Sequence, residues 1–355
     1  MQIFGDRIRF GIHAGPQNVS FDELLEMWQR AEELDYDWVS VFDHFMPIFG
    51  PNPDGGCFEG VSLMAALAAH TSKIRVGMLV TGVTYRHPAV AANMAATIDH
   101  ISGGRTEYGV GAAWFEKEHD QYGIPFPRIG VRMDMLDEAC RVMRGLWTEN
   151  RFSFEGKHYQ LKDAQMDPKP VQEHMPLVIG GSGEKRTLRI VAEHGDVWNT
   201  FFGELDTFEH KLNVLSQHCA DVGRDPADIR KSVTYRAVLA EDEAGVGERR
   251  KELEALGPSR FEWFVGTPEQ LVEALKPWAE RGDSAFELAE LFCTQAQRRI
   301  GDLFHALWSN DDAANYKAAQ NVLAGRYEWL EEGIPDPSGE GPMIASQPDE
   351  VTVPA

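Results

Sequence analysis

The sequence predicts a (β/α)8 TIM barrel carrying inserted segments, and three observations predict it. Short apolar runs alternate with amphipathic stretches along most of the chain, the pattern of repeated strand–helix units with right-handed crossovers and a parallel sheet. Seven or eight strand candidates can be counted, and eight such units close a barrel. The rival is an open doubly wound sheet, but no G-x-G-x-x-G opens a helix after the first strand, which lowers the weight of a dinucleotide-binding fold. The 355 residues suit one α/β barrel.

Taken in order, residues 8–12 (IRFGI) read as the first strand, and 21–34 as a helix with Ser20 as its N-cap. Residues 38–42 (WVSVF) form a buried strand, 61–70 a helix, 74–80 (IRVGMLV) a third strand and 88–99 a helix. The fourth strand is 106–110 (TEYGV), followed by a long amphipathic helix over 129–147. The rhythm then breaks. Residues 151–170 read as a β-hairpin with Glu155-Gly156 at its turn and a Pro-punctuated loop behind it. Strand 176–179, helix 184–193, strand 196–199, helix 208–222 and strand 229–239 resume the alternation. The charged stretch 241–263 carries no clear signal. A helix over 267–281 has a proline near its start, and 285–292 is the last strand candidate. Residues 1–334 are expected to form a single domain. Residues 335–355, rich in Pro, Gly and acid, are expected to be an extended or disordered tail.

Composition narrows the function. Hydrophobic residues at 43% and charged residues at 25% allow a core of normal size. A net charge of -22 argues against a nucleic-acid partner, which needs Lys and Arg in excess to neutralise phosphates. It leaves room for an anionic cofactor, because backbone N–H groups can cradle phosphate on an acidic chain. No apolar run reaches membrane-spanning length, so no membrane partner is expected. The opening MQIFGDRIRFGIHAG lacks a signal-like apolar core, so a cytoplasmic location is expected. Cys57, Cys140, Cys219 and Cys293 are dispersed, which predicts neither disulfides nor a metal site.

In a barrel of this kind the chemistry gathers at the C-terminal ends of the strands. After the second strand stand Asp43 and His44, an acid/base candidate pair. Side chains alternate along a strand, so the two point to opposite sides, and a loop-bonding role for both is equally open. After the third strand come Thr81, Gly82 and Val83, where glycine permits close approach of a flat ligand or simply a tight turn. After the fourth come Gly111, Ala112 and Ala113, small enough to leave room for a ring system, then Trp114 and Glu118 as possible pocket walls. Gly180, Gly181, Ser182 and Gly183 lead into a helix, and a glycine-rich turn there aims N–H groups and the helix dipole at an anion.

Together these segments resemble the luciferase-like monooxygenase family, and within it the branch that uses the deazaflavin coenzyme F420. The likeness is carried by VFDHF, LAAHTSKIRVGMLVTGVTYRHPAVAANMAATIDHISGGR, GVGAAWFEKEH, LWTENRFSFEGKHYQLKDA and PLVIGGSGEKRTLRIVAEHGDVWN, spread over roughly residues 8–240. The resemblance implies a luciferase-like barrel in which His44 serves as acid/base or substrate-orienting residue and Asp43 meets the cofactor ring or fixes local backbone. It implies a non-prolyl cis peptide at Gly82-Val83 behind the ring, Gly111 to Ala113 lining the ring, and Gly180 to Gly183 holding the phosphate. Family members are commonly dimers, so a homodimer is expected. The deazaflavin sugar-phosphate dehydrogenases carry a tryptophan where this chain has Ile48, and an acidic residue where it has Trp114. A sugar phosphate is therefore not the expected substrate. The leading expectation is hydride transfer between F420 and a small organic molecule such as an alcohol, ketone, imine or activated alkene. An FMN-dependent monooxygenase is the alternative, and a non-catalytic flavin-binding barrel a third possibility from another class.

Overall fold

The computed structural model describes residues 9–48, 52–201, 203–240, 242–255, 263–281 and 286–292. In chain order the elements are β1 (Arg9–Ala14), α1 (Phe21–Glu33), β2 (Trp38–Val41), α2 (Gly60–His70), β3 (Arg75–Gly82), α3 (Pro88–Ser102), β4 (Thr106–Gly111), α4 (Glu116–Tyr122), α5 (Ile129–Thr148), β5 (Phe152–Glu155), β6 (Gln160–Ala164), β7 (Leu177–Gly180), α6 (Thr187–His194), β8 (Val197–Phe201), α7 (Leu205–Val222), β9 (Arg230–Tyr235), β10 (Ala237–Leu239), α8 (Glu243–Ala255), β11 (Phe264–Gly266), α9 (Pro268–Arg281) and β12 (Phe286–Phe292).

Eight of these strands form a closed barrel in the order β1-β12-β9-β8-β7-β4-β3-β2, with every neighbouring pair parallel. The barrel is thus the architecture, and the open sheet is excluded. Barrel residues such as Phe10, Ile12, Val39, Val76, Met78, Tyr108 and Ile179 are fully buried or nearly so, the continuous apolar strands that a sheet covered on both faces requires. The end of the barrel opposite the strand C-termini is fastened by an ionic knot. Buried Glu107 accepts from Arg9 at 2.8 Å and from Arg75. Burial works to raise its carboxyl, yet the two guanidiniums outweigh that and hold it below the carboxylate range.

Local signals explain the boundaries. Ser20 caps α1 and Glu23 returns the bond, a complete capping box. Pro88 opens α3, and Gly103 closes it in the left-handed conformation at φ 67°. The hairpin of β5 and β6 is antiparallel, and its loop at 156–159 is gathered by Glu138, which accepts from the N–H groups of Lys157, His158 and Tyr159.

Four elements differ from the sequence reading. Helix α6 starts at Thr187 rather than 184, because the glycine-rich segment stays extended with Gly181 at φ 122°. The strand expected over 229–239 breaks at Arg236. Its second half, β10, leaves the barrel and pairs with β11. The stretch 241–263 contains α8, and α4 was not foreseen. The tail expected at 335–355 lies outside the described residues. Among the described residues, no helix is long and apolar enough to cross a membrane.

Candidate functional site

A cavity of about 430 Å³ lies at the C-terminal ends of the barrel strands, within the size range of small-molecule sites. Strand β1 supplies His13; Phe42, Asp43 and His44 follow β2; β3 contributes Leu79 to Gly82. Gly111 to Trp114 close the β4 side, Gly180 and Gly181 the β7 side, and Asn199, Phe201 and Arg236 the β8–β9 side. Ile48, Ile129, Met133 and Thr187 complete the wall.

Asp43 and His44 do diverge. Asp43 accepts from Arg86, with one of the two bonds at 3.1 Å, and from the hydroxyl of Thr81. Arg86 also binds Glu59, which caps α2 through the N–H of Ser62 at 2.6 Å. Burial alone would lower the guanidinium, but Asp43 and Glu59 raise it above its ordinary value. The Asp43 carboxylate is thereby fixed from behind while the residue still lines the cavity.

His44 takes a different partner. Its Nδ1 lies 2.7 Å from Oε1 of Glu118, whose other oxygen accepts from the Phe45 N–H at 2.9 Å. Tyr85 donates its hydroxyl to the same carboxylate. Glu118 is fully buried and does not line the cavity, so its expected place as a pocket wall is corrected. Helix α4 turns it inward beneath His44. Burial pushes this carboxyl up, but the bond and charge of His44, then Tyr85 and the Phe45 amide, hold it below the ordinary value. Burial and the adjoining carboxylate raise the Tyr85 hydroxyl far above the phenol range. They likewise push the nearby Cys57 thiol up to about 12, leaving it unreactive.

Three further placements depart from expectation. The non-prolyl cis peptide lies at Leu79-Val80, not at Gly82-Val83. The β3–β4 register slips between Met78 and Thr81, and the Val80 side chain bulges towards β4 and β7. A Cβ added at Gly109, Gly111 or Gly180 would stand 2.7, 2.9 or 3.1 Å from Val80 methyl carbons. Those glycines make room for Val80, and their presence on two neighbouring strands was the signal for the bulge. Val83 is buried in the core, its carbonyl accepting from Tyr159, so it is not a cavity residue. Ser182 and Gly183 lie exposed beyond the lining, where Lys211 donates to the Ser182 carbonyl at 2.7 Å. Gly180, Gly181 and Thr187 form the cavity edge instead. Trp114 is 49% exposed at the mouth, beside His44 with ring centroids 5.8 Å apart.

Sequence reasoning missed His13, Asn199 and Arg236. The first strand was ended at Ile12, one residue short of His13, and Arg236 was read as mid-strand. His13 is buried with Nδ1 2.9 Å from the Ser40 hydroxyl. Desolvation, then the charge of Arg236, lowers it to about 3. Asn199 is anchored through Nδ2 to the hydroxyls of Ser232 and Thr234, each at 3.0 Å.

The wall suits a flat, weakly polar ring. Thr81, Gly82, Ala112 and Ala113 present small groups, Val80 stands proud between them, and Asp43 and His44 supply polar atoms. An attached anion would meet the start of α6, whose first turn has no side-chain cap.

Residues 5–261 match the luciferase-like monooxygenase family. An F420-dependent glucose-6-phosphate dehydrogenase of Microbacterium testaceum is 32% identical over 227 residues, covering 62% of this chain and 66% of that one. A pyrimidine monooxygenase, RutA, of Allorhizobium ampelinum is 41% identical over 180 residues, or 50% and 48% of the two chains. The chain thus spans about half to two thirds of the length of these curated relatives. A solved F420-dependent secondary alcohol dehydrogenase, in complex with an F420–acetone adduct, superposes with a TM-score of 0.69. It is 24% identical and covers 80% of this chain and 93% of that one.

Proposed function

The chain belongs to the luciferase-like monooxygenase family, a family of oxidoreductases, and from that premise we propose that it is a coenzyme F420-dependent oxidoreductase acting on a small organic substrate. The observation that carries this reading is His44 at the cavity wall, backed by buried Glu118 at 2.7 Å. When bound, the deazaflavin supplies a two-electron hydride carrier. The residues of the chain supply position and the proton.

Glu118, held in its ionised form, can only accept. It therefore draws an Nδ1 proton of His44 towards itself, so that when the ring carries a single proton Nε2 keeps its lone pair. A histidine in that tautomer takes a proton from a hydroxyl at Nε2, and returns it when the reaction runs the other way. Asp43 and Thr81, locked by Arg86, would offer fixed polar atoms to the cofactor ring. Gly82, Ala112 and Ala113 would flank the ring, while Gly180, Gly181 and Thr187 would hold the phosphate end. Ile48 and Trp114 line the cavity and would limit the access of water to the reacting atoms.

A second reading, an FMN-dependent monooxygenase, is favoured by one observation, the 41% identity to the pyrimidine monooxygenase. A fluorescence titration of the purified chain with oxidised F420, run beside FMN, separates the two. Saturable binding of F420 with weak FMN binding is the expected result. The reverse preference, with oxygen uptake on adding reduced FMN, would replace the proposal by the second reading. Binding of either without turnover across a broad substrate panel would leave only a non-catalytic flavin-binding barrel.

A further inference from the structure

The cavity has a sector that the cofactor assignment leaves unused. The residues assigned to the ring and phosphate stand on or just after β2, β3, β4 and β7, with Thr187 at the start of α6. Across the barrel, on β1, β8 and just beyond β9, stand His13, Asn199 and Arg236. The geometry points to this sector as a subsite for a carboxylate, so that the substrate is a small organic acid with its reducible or oxidisable carbon beside His44 and its carboxylate at Arg236. The inference names the substrate class for the oxidoreductase proposed above and rests on that reading for its place in catalysis.

Several observations converge on it. Arg236 is 7% exposed yet lines the cavity. Its backbone sits at the point where the chain leaves the barrel. There its carbonyl accepts from Phe264 of β11 at 2.8 Å, so the side sheet of β10 and β11 pins the base of the side chain. Its guanidinium lies over the ring of Trp263, 5.9 Å from the centroid, which restricts the plane in which the fork can present itself. A fixed planar fork matches a carboxylate. The neighbouring His13 is neutral because burial and Arg236 both disfavour its charged form, so it does not repel the guanidinium and offers one ring nitrogen beyond the one bonded to Ser40. Between the two ends runs Phe42, its ring 5.8 Å from that of His13 and 5.5 Å from that of His44.

The test uses the full chain without cofactor, so that its failure leaves the deazaflavin reading standing and the failure of that reading leaves this result interpretable. Histidine-labelled protein is titrated with pyruvate and, separately, with acetone, its uncharged counterpart, following the His13 ring by NMR. Pyruvate is expected to shift His13 saturably and to raise its pKa, because a nearby anion favours the imidazolium. Acetone is expected to do neither. Arg236→Met should weaken pyruvate binding by about ten-fold or more, the loss expected for a charged hydrogen bond. Arg236→Lys, which keeps the charge and loses the fork, should fall between and serves if the first variant does not fold. Equal responses to pyruvate and acetone, no saturable shift with pyruvate, or unchanged pyruvate binding in the folded variant would each overturn the carboxylate subsite.

Discussion

Replacing Glu118 by Gln keeps the size of the side chain but removes the acceptor-only partner of His44. The amide can turn its NH2 towards Nδ1, and the proton is then pushed to Nε2, the wrong nitrogen for a base. Glu118→Gln is expected to lower kcat by about 10–100-fold, the range for groups that orient a working histidine, while KM for cofactor changes little; steady-state kinetics across pH checks both. His44→Ala should cost more, about 10²–10⁴-fold in turnover, with F420 affinity retained; unchanged turnover would remove His44 from the mechanism. The same carboxylate also has a stability signature. Its folded pKa lies below the ordinary 4.5, so its contribution is full above that value and is lost as pH falls through the folded one. Thermal melts of wild type below about pH 4.5 should therefore fall more steeply than those of Glu118→Gln. Asp43 and His44 could be singled out because polar residues at barrel strand ends gather at the site, although the same residues could equally have served the loop backbone; their divergence follows from strand alternation. Glu118 was not legible, since FEKEHDQY reads as a solvated stretch and only the packing of α4 turns one of its three acids inward. Arg236 was hidden inside the stretch 229–239, which reads as one strand.

Elements carry their own tests. The capping box of α1 should make Ser20→Ala cost about 1 kcal/mol, read as a shift in denaturant midpoint without change in slope. Gly109→Ala is a sharper probe, because its Cβ would meet both Val80 and the Met78 carbonyl. About 1–3 kcal/mol of destabilisation is expected for such overpacking, together with weakened F420 binding as the bulge is pushed into the cavity. Stability unchanged with binding intact would show that the bulge moves freely. Helices and strands with a clear period were readable to within a few residues. The bulge at Leu79-Val80 was not, since it depends on register between β3 and β4, a relation between strands that no single segment encodes. The break at Arg236 is a tertiary choice of the same sort: β10 carries a strand pattern that serves equally well in the barrel or beside β11.

At the level of the whole molecule the charge balance argues against a nucleic-acid role, and the alternation of strands and helices favoured the parallel barrel that the structure shows. A net charge of -22 also implies self-repulsion in the folded state. The melting temperature should rise between about 10 and 150 mM salt, as the screening length shortens from about 30 to about 8 Å; a flat response would mean that local pairs such as Arg9–Glu107 and Arg86–Asp43 dominate.

The barrel is closed by β12, which pairs with β1 on one side and β9 on the other. Some 270 residues separate β1 from the strand that completes it. A growing chain leaving the ribosome therefore holds two exposed sheet edges, on β1 and β9, until residues 286–292 have emerged. During that interval each edge can recruit a strand from another molecule. Synthesis speed and chaperone supply, more than final stability, should set the yield of this protein in a cell.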